Sequence, residues 1–358
     1  DFLACSLTPD FMALSFQKKL VEDVIDAYKK GDSLADDSTF TEVRAPKKST
    51  AAATIYTRVN GMIGWTEFDM KMKDDFVYFT GISHDADTCF TFINLLRQQE
   101  SVQGFPGEVL PSTAFYFSKQ SITDWNSLLS YSDLQGYATA GRTAEMQNRD
   151  RELSHYLMEN TGHDLVACLF QREDTLQEDA AAVLSLSVLD VTEAERMLRS
   201  LVNTAPAEEG VRKPRITFCY TANKAYPVYR LPQTTLFTQL TSFVEPASHM
   251  YAAFYGGRLL LAPDEDSLSR YIRQLDKGEV LDGAIAYRAG MDSMSDSYHF
   301  MLMADFDHLF HQAEKQVRFV PDFFLRNSEF FRNFILFAQF TYADGVVYPN
   351  IVLRYKTE

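Results

Sequence analysis

FMALSFQKKLVEDVIDAYKKGDSLADD (residues 11–37) and RLLLAPDEDSLSRYIRQLDKGEVLDGA (residues 258–284) are the two stretches of sequence that decide the fold. They belong to a longer similarity, in which residues 2–58 align with residues 249–305 at a constant offset of 247 positions. We call residues 2–58 the first repeat and residues 249–305 the second repeat. Similarity at a fixed offset indicates that one supersecondary unit occurs twice in the chain.

Both repeats have the pattern of two short strands followed by an amphipathic helix. The strands are separated by Pro9-Asp10 in the first repeat and by Gly256-Gly257 in the second, and both pairs favour a turn. Each predicted helix ends in Lys-Gly. The pair is typical of a helix C-terminus, because Lys interacts favourably with the negative end of the helix dipole and Gly readily adopts the left-handed conformation that follows it. The residues spaced as one helix face are Val21, Val24, Ile25 and Tyr28 in the first repeat, and Leu268, Tyr271, Ile272 and Leu275 in the second.

A third strand and a long hairpin are predicted to follow each helix. The third strands are expected at residues 53–59 and 298–304. The first hairpin is expected to turn at Asp74-Asp75 and the second at Asp344-Gly345, and Asp-Gly between alternating strands is a strong hairpin signal. The second hairpin starts about 23 residues later than the repeat predicts, which indicates an insertion of that length.

Residues 109–247 have no counterpart upstream and are predicted to form alternating strands and helices. A boundary is expected at residues 104–111, where Gly and Pro cluster. Thr192 and Glu195 have the spacing of a helix capping box. The strands are predicted at 113–119, 164–171, 181–188, 215–220 and 225–231, and the helices at 122–131, 145–160 and 192–202.

We therefore predict an α+β fold of two related modules, with mainly antiparallel or mixed sheets flanked by helices. Residues 1–108 are expected to be the C-terminal part of a first module. Residues 109–358 are expected to be a complete second module, with an aromatic-rich insertion near residues 306–331. This division implies that a segment resembling residues 109–247 precedes Asp1 in the full-length protein.

Composition limits the classes of function that the chain can have. Its 358 residues suggest about two domains, and its 46% hydrophobic content is that of a globular protein. The net charge of −15 repels phosphate backbones, and no basic cluster offsets it, so nucleic-acid binding is not expected. No apolar run approaches the ~20 residues of a membrane span. The four cysteines, which lie far apart, are expected to be small buried hydrophobes.

Three motifs resemble those of a family of uncharacterised bacterial envelope proteins, many of them predicted lipoproteins, in which such a module is duplicated. They are the start at residues 109–112 (VLPS), the pattern YxxxxxxxLLLAxDEDSLxRYI from Tyr251 to Ile272, and the closing DGVVYPNIVLRY from Asp344 to Tyr355. The resemblance implies export, with a signal peptide and a lipid anchor upstream of Asp1. It implies no activity and no catalytic residues.

The aromatic insertion is the candidate binding surface. Phe323, Phe324 and Phe331 are predicted to form an exposed apolar patch for an unknown protein or small ligand at the cell envelope. The alternative is that the insertion packs on its own module. Because no cofactor motif is present, no cofactor is predicted.

Two histidines within the insertion form the candidate metal site. His308 and His311 are i, i+3 on a predicted helix, so their rings can lie on one face, where Glu314 continues the polar face. The alternative is an exposed polar helix face. The leading hypothesis is therefore a non-enzymatic, extracytoplasmic binding protein of the bacterial cell envelope, and the competing hypothesis is a metal-dependent hydrolase that uses His308 and His311.

Overall fold

The computed structural model describes residues 3–44, 50–59, 63–85, 91–135, 142–171, 180–204, 214–241, 250–316 and 322–356. The first repeat and its hairpin contain β1 (Ala4–Leu7), β2 (Met12–Ser15), α1 (Lys18–Lys30), α2 (Ser38–Val43), β3 (Ala53–Val59), β4 (Ile63–Lys73) and β5 (Phe76–His84). The middle of the chain contains α3 (Phe92–Arg97), β6 (Val102–Gln103), β7 (Ala114–Ser121), α4 (Trp125–Leu134), α5 (Ala144–Asn160), β8 (Thr161–Gln171), β9 (Ala180–Val188), α6 (Val191–Thr204), β10 (Ile216–Tyr220), β11 (Ala225–Leu231) and α7 (Leu236–Thr241).

The second repeat, the insertion and the last hairpin complete the chain. They contain β12 (Met250–Tyr255), β13 (Arg258–Ala262), α8 (Glu265–Asp276), α9 (Ile285–Met291), β14 (Ser297–Tyr298), β15 (Phe300–Asp305), α10 (Phe306–Gln316), α11 (Asp322–Arg326), α12 (Ser328–Phe331), β16 (Phe334–Ala343) and β17 (Val346–Tyr355). The α+β class is therefore confirmed.

Thirteen of the described strands form one antiparallel sheet. Their order is β10-β11-β12-β13-β9-β8-β7-β15-β16-β17-β5-β4-β3. The pairs β1-β2 and β14-β6 form two small separate sheets. All pairings between described strands are antiparallel, so the mixed sheet that the sequence left open is not seen among them.

The large sheet crosses the predicted boundary between residues 1–108 and 109–358. β5 pairs with β17, for example at Val77↔Leu353 and Ser83↔Val347. Residues from both predicted units therefore belong to one sheet, and the division into two domains stays a prediction. No helix among the described residues has both the length and the apolar character needed to cross a membrane.

The two repeats have the same order of elements and the same strand register. β1 and β2 pair at Cys5↔Leu14, and β12 and β13 pair at the matching positions, Ala252↔Leu261. Each helix is followed by a short 3-10 turn and a short second helix. Both predicted terminal glycines are left-handed, with φ of 75° at Gly31 and 76° at Gly278.

The core occupies both faces of the large sheet. Along β8, Leu165, Ala167 and Leu169 pack on one face with α4, α5, α6 and α7. The alternate residues pack on the other face with α8 and α9, as the two-residue period of a strand requires. Cys168 and Cys219 are buried as expected, but Cys5 is exposed, which corrects the expectation for that residue; Cys89 lies outside the described residues.

The start of α6 differs from the sequence prediction. The Asp190 carboxylate accepts hydrogen bonds from the backbone N–H groups of Thr192 (2.9 Å) and Glu193 (3.1 Å). The helix therefore begins one residue earlier than expected, and Asp190 rather than Thr192 is its cap. Both residue types are good caps, so the side chain nearer the preceding strand takes the position.

A buried carboxylate fixes α5 to the loop that leads into α7. Asp150 accepts hydrogen bonds from Thr234 Oγ1 (2.5 Å), Thr235 N (2.8 Å) and Thr235 Oγ1 (2.6 Å). Arg142 Nε lies 3.1 Å from its second oxygen. A charge removed from water needs such partners, and here the carboxylate has one cation and three neutral donors.

We predict that Asp150→Ala lowers the free energy of unfolding by about 3 kcal/mol, because it leaves Arg142 and the two threonines without their acceptor. Urea unfolding measures the change. Glu152→Ala is the matched control, since Glu152 is exposed on the same helix, and it should change stability by no more than ~0.5 kcal/mol. Equal effects of the two substitutions would contradict the assignment.

Candidate functional site

The insertion between β15 and β16 packs an aromatic cluster against the core. Phe306 is buried and stacks on Phe310 and on Phe324, with centroid distances of 5.2 Å in both pairs. Phe331 packs edge-on against Phe324 at 4.8 Å. Offset and edge-to-face pairs of this kind add stability beyond the area that they bury. The cluster therefore packs the insertion against the core of the protein.

The predicted patch residues do not share one environment. Phe331 is buried and Phe324 is half-buried, so the alternative of packing on the same module describes these two rings. The side chain of Phe323 lies outside the described residues. A binding role for the three residues stays a prediction, but the buried Phe331 ring offers little surface to a partner.

Among the described side chains, the aromatic residues Phe330 and Tyr355 face solvent beside this cluster. Phe330 is 61% exposed and Tyr355 is 47% exposed. Both contact Phe334, with centroid distances of 5.2 Å and 5.4 Å. Adjacent helical residues point about 100° apart, and here Phe331 faces the core and Phe330 faces solvent. The sequence does not reveal which of the two adjacent rings is exposed.

A carboxylate at the end of β15 contacts a histidine at the start of the insertion and a lysine that follows β17. Asp305 Oδ2 lies 3.3 Å from His308 Nδ1. The other oxygen, Oδ1, accepts a hydrogen bond from Lys356 Nζ. His308 stacks on Phe115 at 5.8 Å, which fixes its ring. The arrangement joins three chain segments, because β15, α10 and the residue after β17 each supply one group.

The pKa values of these groups are shifted by their contacts. The close contact with the Asp305 carboxylate raises the pKa of His308 against the opposing effect of burial. Burial acts to raise the pKa of Asp305, but the contact with His308 and the hydrogen bond from Lys356 outweigh it and leave that pKa lowered. His299, by contrast, is buried without a carboxylate partner among these contacts, and burial lowers its pKa.

The second predicted metal residue, His311, lies one turn further along α10. Its Nδ1 lies 2.7 Å from the backbone oxygen of Asp307 and 4.0 Å from the Asp307 carboxylate. Among the described residues, no group of three or more His, Cys, Asp or Glu side chains is placed to hold a metal ion. The side chain of Glu314 lies outside the described residues. The metal hypothesis therefore stays a prediction from sequence alone.

A cavity of about 330 Å³ adjoins the Asp305–His308 pair. Its wall brings together the start of β7, the 3-10 turn after α8, and α9. The polar and aromatic residues that line it include Thr113, Phe115, Tyr287, Asp305 and His308. A concave site with a few convergent polar groups and shifted pKa values is the usual form of a small-molecule site.

No protein-family model, no curated protein and no solved structure matches the chain. The family resemblance of the three motifs therefore stays an expectation, as does the export that it implies.

We predict that His308 titrates above the ordinary histidine value of about 6.5 and His299 below it. The His308–Asp305 contact contributes to stability below the unfolded pKa, and that contribution is lost as pH rises through the raised folded pKa. Asp305→Asn should lower the pKa of His308 and leave His299 unchanged. Imidazole NMR titration measures both, and a His308 pKa that does not respond to the substitution would refute the pairing.

Proposed function

We propose that this protein is a non-enzymatic, extracytoplasmic binding protein of the bacterial cell envelope, and that the insertion carries its binding surface. The observation that carries the proposal is the exposed pair Phe330 and Tyr355, held on a packed aromatic cluster. The partner is an unknown protein or small ligand. The place in the envelope rests on the family resemblance.

The exposed rings have the physical character of interface anchors. Aromatic residues are enriched at the centres of protein interfaces, where they bury large areas at little cost in conformational entropy. The Phe334 ring packs against both exposed rings and restricts them. Binding of a partner would therefore cost little additional side-chain entropy. Arg332, whose Nε lies 3.6 Å from Asp307 Oδ1, supplies a polar group one residue after α12.

The cavity beside Asp305 offers a second means of binding, for a small polar ligand. A protonated His308 can donate from the ring nitrogen that Asp305 does not engage, and Thr113 supplies a hydroxyl. A ligand with an acceptor group and an apolar body would fit a wall of this composition.

We also propose that the two repeats are copies of one module, as the sequence similarity suggests. The support is the shared order of elements and the matching registers. β3 pairs with β4 at Thr54↔Asp69, and β15 pairs with β16 at the corresponding positions, Met301↔Gln339. The insertion occurs only in the second copy, and this is why the binding surface is placed there.

Photo-crosslinking tests the binding surface. Benzoylphenylalanine in place of Phe330 should yield a discrete adduct in cells that express the protein from its own gene. The same probe at Ile285 is the matched control, because Ile285 is exposed and apolar but lies in α9. Identical adducts at both positions, or none at position 330, would refute the proposal.

A further inference from the structure

Equivalent apolar positions are buried in the second repeat and exposed in the first. Leu261 on β13 is 0% exposed, whereas its counterpart Leu14 on β2 is 51% exposed. Leu281, in the 3-10 turn after α8, is 4% exposed and its counterpart Leu34 is 52% exposed. The same residue type at the same place in the fold therefore has two environments.

The remaining strand and the helix show the same contrast. Phe254 on β12 is buried, and its counterpart Leu7 on β1 is 78% exposed. Tyr271 on α8 is buried, and its counterpart Val24 on α1 is exposed. Exposed apolar groups that occur singly are normal, but several of them at positions whose counterparts are buried indicate a surface that binds another element.

In the second repeat, these positions are covered by elements of residues 109–247. Phe254 and Leu261 lie in the core cluster that contains α4, α5, α6 and α7, and Tyr271 and Leu281 lie in the cluster that contains side chains of β7, β8 and β9. β9 pairs with β13, for example at Leu184↔Leu261, and β7 pairs with β15, for example at Ser118↔Leu302. β8 lies between β7 and β9. In the part of the chain that the structure describes, β2 pairs only with β1, and β3 is the last strand of the large sheet.

We propose that β1, β2, α1 and the outer edge of β3 form a docking surface for a three-stranded antiparallel sheet of the β9-β8-β7 type, together with the helices that pack on it as α4–α7 pack in the second repeat. A segment that precedes residue 1 in the same polypeptide supplies this sheet, and its sequence resembles residues 109–247. One of its outer strands pairs with β2 and the other with β3. The inference rests on the proposed duplication of the module, and it is independent of the binding surface at Phe330.

The register between the repeats supports this occupant. Val77↔Leu353 and Ser83↔Val347 are equivalent pairs, because β4 and β5 align with β16 and β17 at an offset of 270 positions. The two hairpins therefore meet in an isologous contact, like the two halves of a symmetric dimer. Equivalent halves are expected to have equivalent neighbours outside their hairpins, and among the described strands β15 has such a neighbour, β7, whereas β3 has none.

A second copy of this chain cannot supply the same three strands. Its own β7, β8 and β9 are already paired on both sides, between β15 and β13. A second copy could offer only the outer edges of its sheets. These edges cannot fill the space between β2 and β3 in the way that β9-β8-β7 fills the space between β13 and β15.

Reactivity of Cys5 tests the proposal. Cys5 is exposed on β1, its counterpart Ala252 is fully buried, and Cys168 and Cys219 are buried. The 358-residue chain is compared with the same chain extended by the residues that precede it in its gene, both with Cys89→Ser. Thiol labelling of Cys5 should be at least ~100-fold slower in the extended chain, because it then requires local opening of a covered surface.

Further measurements separate docking of the preceding segment from the mere addition of residues to the chain. A flexible Gly/Ser extension of equal length should leave Cys5 reactive. A thiol at the exposed hairpin position Met72→Cys should react equally in every form. Cys168 and Cys219 report folding, since their labelling would reveal an unfolded chain, and Leu14→Asp in the extended chain should restore the labelling of Cys5.

Three outcomes would overturn the proposal. The first is an extended chain in which Cys5 reacts as fast as in the 358-residue chain. The second is protection of Cys5 in the 358-residue chain that grows with protein concentration, which would assign the surface to a second copy. The third is a gene that encodes no segment of the 109–247 type before residue 1. By contrast, slow labelling of Cys5 in an extended chain that remains monomeric would support the proposal.

Discussion

The antiparallel pairing of β5 with β17 is the interaction on which the arrangement of the chain depends. It joins two hairpins that are far apart in sequence, and its register relates them as equivalent halves. Because each hairpin uses one edge for this pairing, the rest of each repeat must extend outward from it. The hairpin pairings leave the outer edge of β3 and the outer edge of β15 open to a further strand, so the two repeats offer the same kind of edge at equivalent places.

On the side of β15, the neighbouring strands are supplied by residues 114–188. β7 continues the sheet from β15, and β9 continues it to β13, while α4–α7 pack on one face of β12 and β13 and α8 packs on the other. The insertion leaves the sheet where β15 ends, and this places Asp305 and His308 beside the cavity. The features proposed for binding therefore lie where the second repeat departs from the first.

Local signals predicted much of this fold. The turns at Asp74 and Asp344 and the glycines after α1 and α8 were located correctly, because turn and cap chemistry depends on a few adjacent residues. The β5–β17 pairing was not predicted, since nothing local specifies which hairpins meet. The cavity was missed for the same reason, as its wall joins segments that are distant in sequence. For Phe331 the sequence left two alternatives open, an exposed patch or packing on the same module, because an aromatic run does not reveal which rings are buried in the core.

The central claim is that the repeats share one fold and that only the second is covered. Hydrogen exchange of the 358-residue chain tests it by comparing α1 with α8, which occupy equivalent places. The account predicts that amides of α8 exchange at least ~100-fold more slowly than those of α1, because α8 opens only with the core whereas α1 packs mainly on β1 and β2. Equal protection of the two helices would contradict it.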